Sequence, residues 1–346
     1  MASCIEEFYK HFQFEMLHTG DISTLGIAHF KPRHDYPDTA IVKILSSRHS
    51  DSSKETMATL SLQNLSRYIV KLYCFYITSS SYVLFLEHCK GGTMHDRLLL
   101  GRSCWEERML LEWFRQLADA VSKIHSKRYA HRDIKPSNIF LTDSGEIRLG
   151  DFGEASAIRE SQQTQYPRGT TSYIPGPLRV DEGVVIQVSK ACGYAHDIWS
   201  LGRTYYEMCM GKYVQELDNR VGNMQSCLQM VAYSLSVRGI SGQLAKLITD
   251  MLSVELIPIT MLQVVETIAR LIAANESIRP VELTSEETLP VSFTSLRPPT
   301  ICRCQFGDQH PKDLQALQCG HTFCRACLEQ RCKKQGKVVC PLCPES

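Results

Sequence analysis

The chain has 346 residues, 43% of them apolar and 22% charged, a globular composition that excludes global disorder. Its 38 Lys and Arg against 37 Asp and Glu leave a formal charge of +1, so no basic field is available to hold a nucleic-acid backbone. No apolar run approaches the ~18 residues of a membrane helix, and neither nucleic acid nor membrane is expected as a partner. The opening MASCIEEFYK carries acids and no apolar stretch, so it does not read as an export signal. The cytosol or nucleus is the expected compartment, where cysteines stay reduced.

Short β-like runs come first, at Phe14–Leu17, Ile27–Phe30 and Thr39–Leu45, separated by Gly, Pro and Asp. Residues 54–66 follow a helical pattern, and strand-like runs return at Ile69–Ile77 and Tyr82–Glu87. From Trp105 the period becomes helical: Leu110, Trp113, Phe114, Leu117, Val121 and Ile124 recur at steps of three or four. Strands followed by helices predict an α+β architecture, a small sheet-rich lobe joined to a larger helical one. Residues 276–298, rich in Pro, Ser, Thr and Glu, read as a linker. Of 15 cysteines, eight fall in residues 302–346. A segment that small cannot bury enough apolar surface to fold without a staple.

Two motifs carry the chemistry. His131–Phe140 reads HRDIKPSNIF, and Asp151–Gly153 reads DFG. On these residues the chain resembles eukaryotic protein kinases over residues 8–275, and Trp113–Gly153 is most similar to the NIMA-related Ser/Thr kinases. The resemblance implies a bilobal protein-kinase fold, ATP and Mg²⁺ as cofactors, and protein substrates. It assigns Asp133 as the catalytic carboxylate and Lys135 as the charge that steadies the phosphoryl group. Asn138 and Asp151 match the Mg²⁺ ligands. Gly153 is expected to let the chain turn straight after the metal ligand. Ala40–Lys43 (AIVK) matches the strand lysine that grips phosphates, and Leu86–Gly92 (LEHCKGG) the hinge, where backbone groups of Glu87 and Cys89 would read adenine. Thr170, in GTTSY, is expected to bond Asp133 and Lys135. Asp197, in DIWSLG, is expected to brace the catalytic loop from a buried position.

Three departures stand out. Of the three glycines expected in the phosphate-covering loop, Gly26 holds the last position, Asp21 and Ser23 hold the others, and Gly20 lies beside the first. Asp21 adds repulsion toward phosphate, so weakened ATP affinity is expected. The helix-borne glutamate that should pair with Lys43 falls at Met57 by counting back from VKLY; Glu55 serves only if the following connection is two residues longer. The family closes the activation segment with Ala-Pro-Glu, whose Glu pairs with a late Arg. Here Pro175, Gly176 and Pro177 stand in the first place and Ile257 in the second, so both partners are expected to be lost together. The rival placement of the Arg at Arg279 leaves no helix after it. Losing both ions is physically sensible, since removing one strands the other at ~3–5 kcal/mol. Arg132, just before Asp133, can pair with a phosphate on Ser161 or Thr164 and order the segment.

In the tail, Cys302, Cys304, Cys319, His321, Cys324, Cys327, Cys340 and Cys343 supply eight ligands, enough for two tetrahedral Zn²⁺ sites. The string CGHTFCRACL…CPLC resembles a RING domain over residues 299–346. The resemblance implies cross-bracing, with Cys302, Cys304, Cys324 and Cys327 on one zinc and Cys319, His321, Cys340 and Cys343 on the other. Cys332 is spare. The first pair is one residue closer than in the family, so Asp308 and His310 stand as alternatives to Cys302. RING ligases dock a ubiquitin-conjugating enzyme on an apolar residue inside that pair and often place a basic residue after the last Cys; here those are Arg303 and Pro344. Three readings follow: a Ser/Thr kinase with a RING ubiquitin ligase, a pseudokinase presenting targets to the RING, or an active kinase with a zinc-bound interaction module.

Overall fold

The computed structural model describes residues 12–20, 23–30, 37–100, 105–158, 169–175, 190–215, 217, 224–253 and 259–277, together with 314–316 and 322–324. The chain forms two compact units, Met1–Glu282 and Leu283–Ser346.

The first unit opens with a five-stranded antiparallel sheet. Its strands are β1 (Phe12–Thr19), β2 (Ser23–Phe30), β3 (Thr39–Ser46), β4 (Leu72–Ile77) and β5 (Ser81–Glu87), in the order β1-β2-β3-β5-β4. Side chains alternate across the pleat. Ala28, Ala40, Val42 and Phe85 are buried on one face with Phe14 and Phe30, and Leu45, Leu72 and Leu84 are buried on the other with Leu60. Leu60 belongs to α1 (Ser50–Leu62), so the second face is the one the helix covers. Lys43, between Val42 and Ile44, points to that helical side. Its apolar neighbours hold β3 in register and leave the lysine only one direction to face.

After β5 come α2 (Met94–Leu99), opened by a Thr93–Asp96 capping box, and α3 (Glu107–Ser126). Leu110, Phe114, Leu117, Val121 and Ile124 line one stripe of α3, and all are buried. This stripe packs into one large core with α4 (Lys190–Met210), α6 (Gly242–Leu252) and α7 (Met261–Ser277), while α5 (Met224–Val237) adds Val231 and Leu235. Phe114 stacks on Tyr205 with ring centroids 3.7 Å apart, and the Tyr205 hydroxyl donates to the Phe114 carbonyl at 2.7 Å. Between α3 and α4 run short strands: β6 (Tyr129–Ala130) pairs with β9 (Ser156–Ala157), and β7 (Ile139–Leu141) with β8 (Ile147–Leu149). The sites described below hang on these strands.

The β4 expectation is corrected in its start. The strand begins at Leu72 rather than Ile69, because Ile69 makes an isolated bridge to Leu149 and the Val70 N–H donates to the Leu149 carbonyl at 2.9 Å. Among the described residues no helix is long and apolar enough to cross a membrane. In the second unit, β10 (Leu314–Ala316) and β11 (Thr322–Cys324) form an antiparallel pair.

Candidate active site

The catalytic loop begins where β6 ends. Arg132 takes a left-handed backbone, φ 67°, which is uncommon for a residue with a side chain and persists only when its surroundings fix it. Asp197 on α4 supplies that fixing. Its carboxylate accepts the His131 N–H at 2.8 Å, the Arg132 N–H at 2.7 Å and His125 Nε2 at 2.8 Å. Burial opposes ionisation of Asp197, but the hydrogen bond and charge of His125 outweigh it and hold the carboxyl below its usual range. Gly169, φ 93°, is equally constrained, since a Cβ there would lie 2.2 Å from the Arg132 carbonyl oxygen. Only glycine lets the segment bearing Thr170 lie against the loop.

Asp133 follows with every oxygen engaged. Oδ1 accepts the Thr170 N–H at 2.9 Å and the Thr170 hydroxyl at 2.8 Å. Oδ2 accepts Asn138 Nδ2 at 2.9 Å and lies 2.7 Å from Lys135 Nζ. Lys135 also donates to Thr170 Oγ1 at 2.6 Å. Burial works against the Asp133 charge, and the bonds from Lys135 and Thr170 more than offset it, so its carboxyl titrates below the ordinary range. Pro136 opens the short 3₁₀ turn that carries Asn138. Because Nδ2 of Asn138 points at Asp133, its Oδ1 is the end of the amide left for a cation.

A second cluster joins the sheet to the loop after β8. Lys43 Nζ lies 2.5 Å from Glu55 Oε1 and 3.0 Å from Asp151 Oδ1. Burial lowers the lysine's basicity, yet the two carboxylates raise it to about 12. Burial pushes Glu55 upward against the pull of Lys43, and Asp151 is held low by Lys43 despite its own burial. Met57, the other candidate by counting, is 60% exposed. The left-handed residue here is Asp151 itself, φ 60°, not Gly153. Phe152 packs into the core beside the His131 ring, at 5.3 Å between centroids.

The remaining sequence candidates divide. Glu87 ends β5; its N–H donates to the Lys71 carbonyl at 2.8 Å and its carboxylate takes Arg148 Nε at 3.1 Å. The Cys89 carbonyl accepts from the Gly92 N–H at 3.3 Å. Burial pushes the Cys89 thiol up to about 12, which leaves it unreactive. Gly20 directly follows β1 and donates to the Ser23 carbonyl at 2.9 Å. Gly26 lies within β2 opposite Val42, on the face away from Lys43, where a Cβ would meet the Phe14 ring at 2.3 Å. Packing alone therefore demands glycine at that position. Of the zinc candidates only Cys324 falls in a described element, at the end of β11. Cys302, Cys304, Cys319, His321, Cys327, Cys340 and Cys343 lie outside the described residues, as do Ser161, Thr164, Gly176, Pro177, Ile257 and Arg279.

One network was missed from sequence: Tyr173, Arg203 and Glu207, buried together behind Thr170. Its signal was present, a charged pair four residues apart in the otherwise apolar stretch IWSLGRTYYEMCM.

Residues 30–262 match the protein kinase domain family, and residues 299–341 match the RING-type zinc-finger family. The chain is 34% identical over 155 residues to 3-phosphoinositide-dependent protein kinase 1 of Arabidopsis thaliana, covering 41% of this chain and 30% of that protein. It is 28% identical over 213 residues to serine/threonine-protein kinase Nek1 of Mus musculus, covering 58% and 17%, and 34% identical over 182 residues to serine/threonine-protein kinase Nek3 of Oryza sativa, covering 50% and 30%. The chain thus spans under a third of the length of each of these three relatives. With a sheet-rich lobe, a helical lobe and the family's residues 30–262 in one unit, the chain belongs to the protein kinase family and carries a RING-type zinc finger after it.

Proposed function

We propose that the chain transfers the γ-phosphate of ATP to Ser or Thr of protein substrates. The observation that carries this reading is the double assembly of polar groups: Lys43 bonded to Glu55 and Asp151, and Asp133 bonded to Lys135, Thr170 and Asn138. Asp133, kept ionised by its partners, accepts the substrate hydroxyl proton, and Lys135 offsets charge gathering on the transferred group. Lys43, held in place by Glu55, faces phosphate oxygens, and backbone groups of Glu87 and Cys89 face the adenine edge. Gly20 and Gly26 belong to the hairpin over the phosphates. The oxygen donors of Asn138 and Asp151 suit a hard cation and would hold Mg²⁺, which when bound neutralises phosphate charge. Thiophosphorylation of a protein substrate with ATPγS tests the reading: transfer by the wild type and none by Lys43→Met is expected. Equal transfer by both would assign the signal to a contaminating kinase.

For the tail, we read residues 299–346 as a RING following a kinase domain of 8–275 and a linker of 276–298. Seven thiols and one imidazole form a donor set suited to Zn²⁺. Cys302, Cys304, Cys324 and Cys327 would hold one ion, and Cys319, His321, Cys340 and Cys343 the other. The metal supplies the folding free energy that the segment lacks. The match to the RING-type family supports a ubiquitin-conjugating enzyme as partner and ubiquitin ligation as the activity. Metal analysis of the full chain should give about two zinc ions. A panel of conjugating enzymes unstimulated by the zinc-loaded chain would make the tail an interaction module.

A further inference from the structure

Tyr173 lies three residues after Thr170 and ends the segment that meets Asp133. Its side chain and carbonyl are held from α4. The Tyr173 hydroxyl donates to Glu207 Oε2 at 2.6 Å, its carbonyl accepts from the Ser200 hydroxyl at 2.7 Å, and its ring lies 4.9 Å beneath the Arg203 guanidinium. Arg203 reaches further. Its NH1 donates to the Ser172 carbonyl at 2.6 Å, its NH2 to the Val214 carbonyl at 2.8 Å, and its Nε to Glu207 Oε1 at 3.3 Å. The side chains of Arg203 and Glu207 are 3% and 0% exposed. A guanidinium so buried is costly unless each face finds a partner, and here its fork is spread over two backbone segments, a carboxylate and a ring. After Tyr173 the sequence runs IPGPLRV, with no carboxylate before Asp181, so that stretch has no acid of its own with which to form a buried ion pair.

We propose that Arg203 is a positioning residue for phosphoryl transfer: from within α4 it clamps residues 172–173, and thereby sets Thr170 against Asp133 and Lys135. The clamp uses geometry only Arg provides, since a lysine ammonium cannot stack on Tyr173 and donate to two carbonyls at once. The catalytic consequence rests on the kinase reading above; the structural one does not. The substrate hydroxyl must approach Asp133 past this segment, so loosening it affects engagement of protein substrate and leaves the ATP-facing groups, Lys43 and Asp151, untouched.

The test uses the full chain and two variants, Arg203→Met and Arg203→Met with Glu207→Gln. The double variant removes both buried charges, so it remains foldable if the single one is not. In the folded variants the KM for a substrate peptide should rise about tenfold or more while the KM for ATP stays within about twofold. Amide exchange at Tyr173 and Ile174, whose N–H groups donate to Thr170 and Thr171, should accelerate. Arg203→Lys should recover only part of either effect. Wild-type peptide KM and exchange in the double variant would overturn the proposal, because Arg203 would then serve only to neutralise Glu207. If the wild type transfers no phosphate, the kinase reading fails by itself, and the exchange measurement still decides whether the clamp exists.

Discussion

On the proposed function, the loop bearing Asp133 and the β1–β2 hairpin answer the same demand, contact with phosphate, in opposite ways. In the loop each group is held several times over: Asp197 takes three donors, Asp133 four, and Thr170 is bonded by both Asp133 and Lys135. At the described edge of the hairpin, one backbone bond joins Gly20 to Ser23, and Met16 and Leu17 are 64% and 54% exposed. The difference teaches where preorganisation was retained. Groups that must stabilise a developing charge have to be fixed before it develops, whereas a cover over phosphates can close on arrival at some cost in affinity. A chain with a firm loop and an exposed hairpin edge short of glycine should bind ATP weakly and still transfer phosphate.

The largest expected effect breaks the firm side. Asp133→Asn keeps the shape and removes the proposed proton acceptor, so transfer should fall about 10³-fold with little change in stability. Single-turnover thiophosphorylation measures it, and a loss under about tenfold would move the proton to another acceptor. Asp197→Ala acts one step behind. It leaves the His131 and Arg132 N–H groups and His125 without their shared buried acceptor, which should cost about 3 kcal/mol or more in a denaturant titration. Transfer should drop as well, because the left-handed Arg132 loses what holds it.

On the hairpin, Gly26→Ala separates packing from nucleotide contact. Its Cβ would lie 2.3 Å from the Phe14 ring and 2.7 Å from the Glu15 carbonyl oxygen, so a loss of about 1–3 kcal/mol is expected. Adding Phe14→Leu should recover part of it. Gly20→Ala meets nothing closer than 3.4 Å and should leave the melting temperature nearly unchanged. If Gly26→Ala proves neutral in stability but raises the KM for ATP, the glycine serves the nucleotide instead of Phe14.

What the sequence made legible follows from how local each constraint is. Asp133, Lys135, Asn138 and Asp151 sit in two contiguous strings, and the chemistry needs them in that order, so no folding knowledge was required. Glu55 was ambiguous against Met57 because the choice depended on the length of the α1–β4 connection. The structure brings Glu55 to Lys43, with Tyr68 and Val70 bonded to Leu149 and Ile69–Lys71 lying outside β4, where a strand was expected. The chain turns at Gly153 as expected, but the left-handed position is taken earlier, by Asp151 with Lys43 as its anchor, which the glycine did not signal. The Arg203 network escaped because its partners, Ser172, Tyr173 and Val214, are remote in sequence and two of the contacts are to backbone carbonyls, which leave no trace in residue identity.

Glu207 offers a pH test of that buried network. Burial raises its pKa from 4.5 to about 7 against the pull of Arg203. A carboxyl raised in the folded state contributes stability that is complete below its unfolded value and lost as pH rises through the folded one. Melting temperature should therefore fall between about pH 4.5 and pH 7 by more in the wild type than in Glu207→Gln, which cannot titrate. Parallel curves for the two proteins would place the titration elsewhere.

The smallest expected effect sharpens the hairpin side. Asp21 and Ser23 stand where the protein kinase family carries glycine, and on the proposed reading Asp21 adds a negative charge to the chain segment that an incoming polyanion must meet. Two unit charges a few ångströms apart in a watery site repel by about 1 kcal/mol. Asp21→Gly should therefore lower the KM for ATP by about fivefold. The repulsion acts on ground state and transition state alike, so kcat should not change. The gain should shrink as salt is added, because the hairpin is exposed and screening reaches it. Ser23→Gly removes no charge and should give a smaller, salt-independent change. A fall in KM that persists undiminished at high salt would mean that glycine helps through backbone freedom, and that the backbone's conformation, rather than the hairpin's charge, limits nucleotide binding.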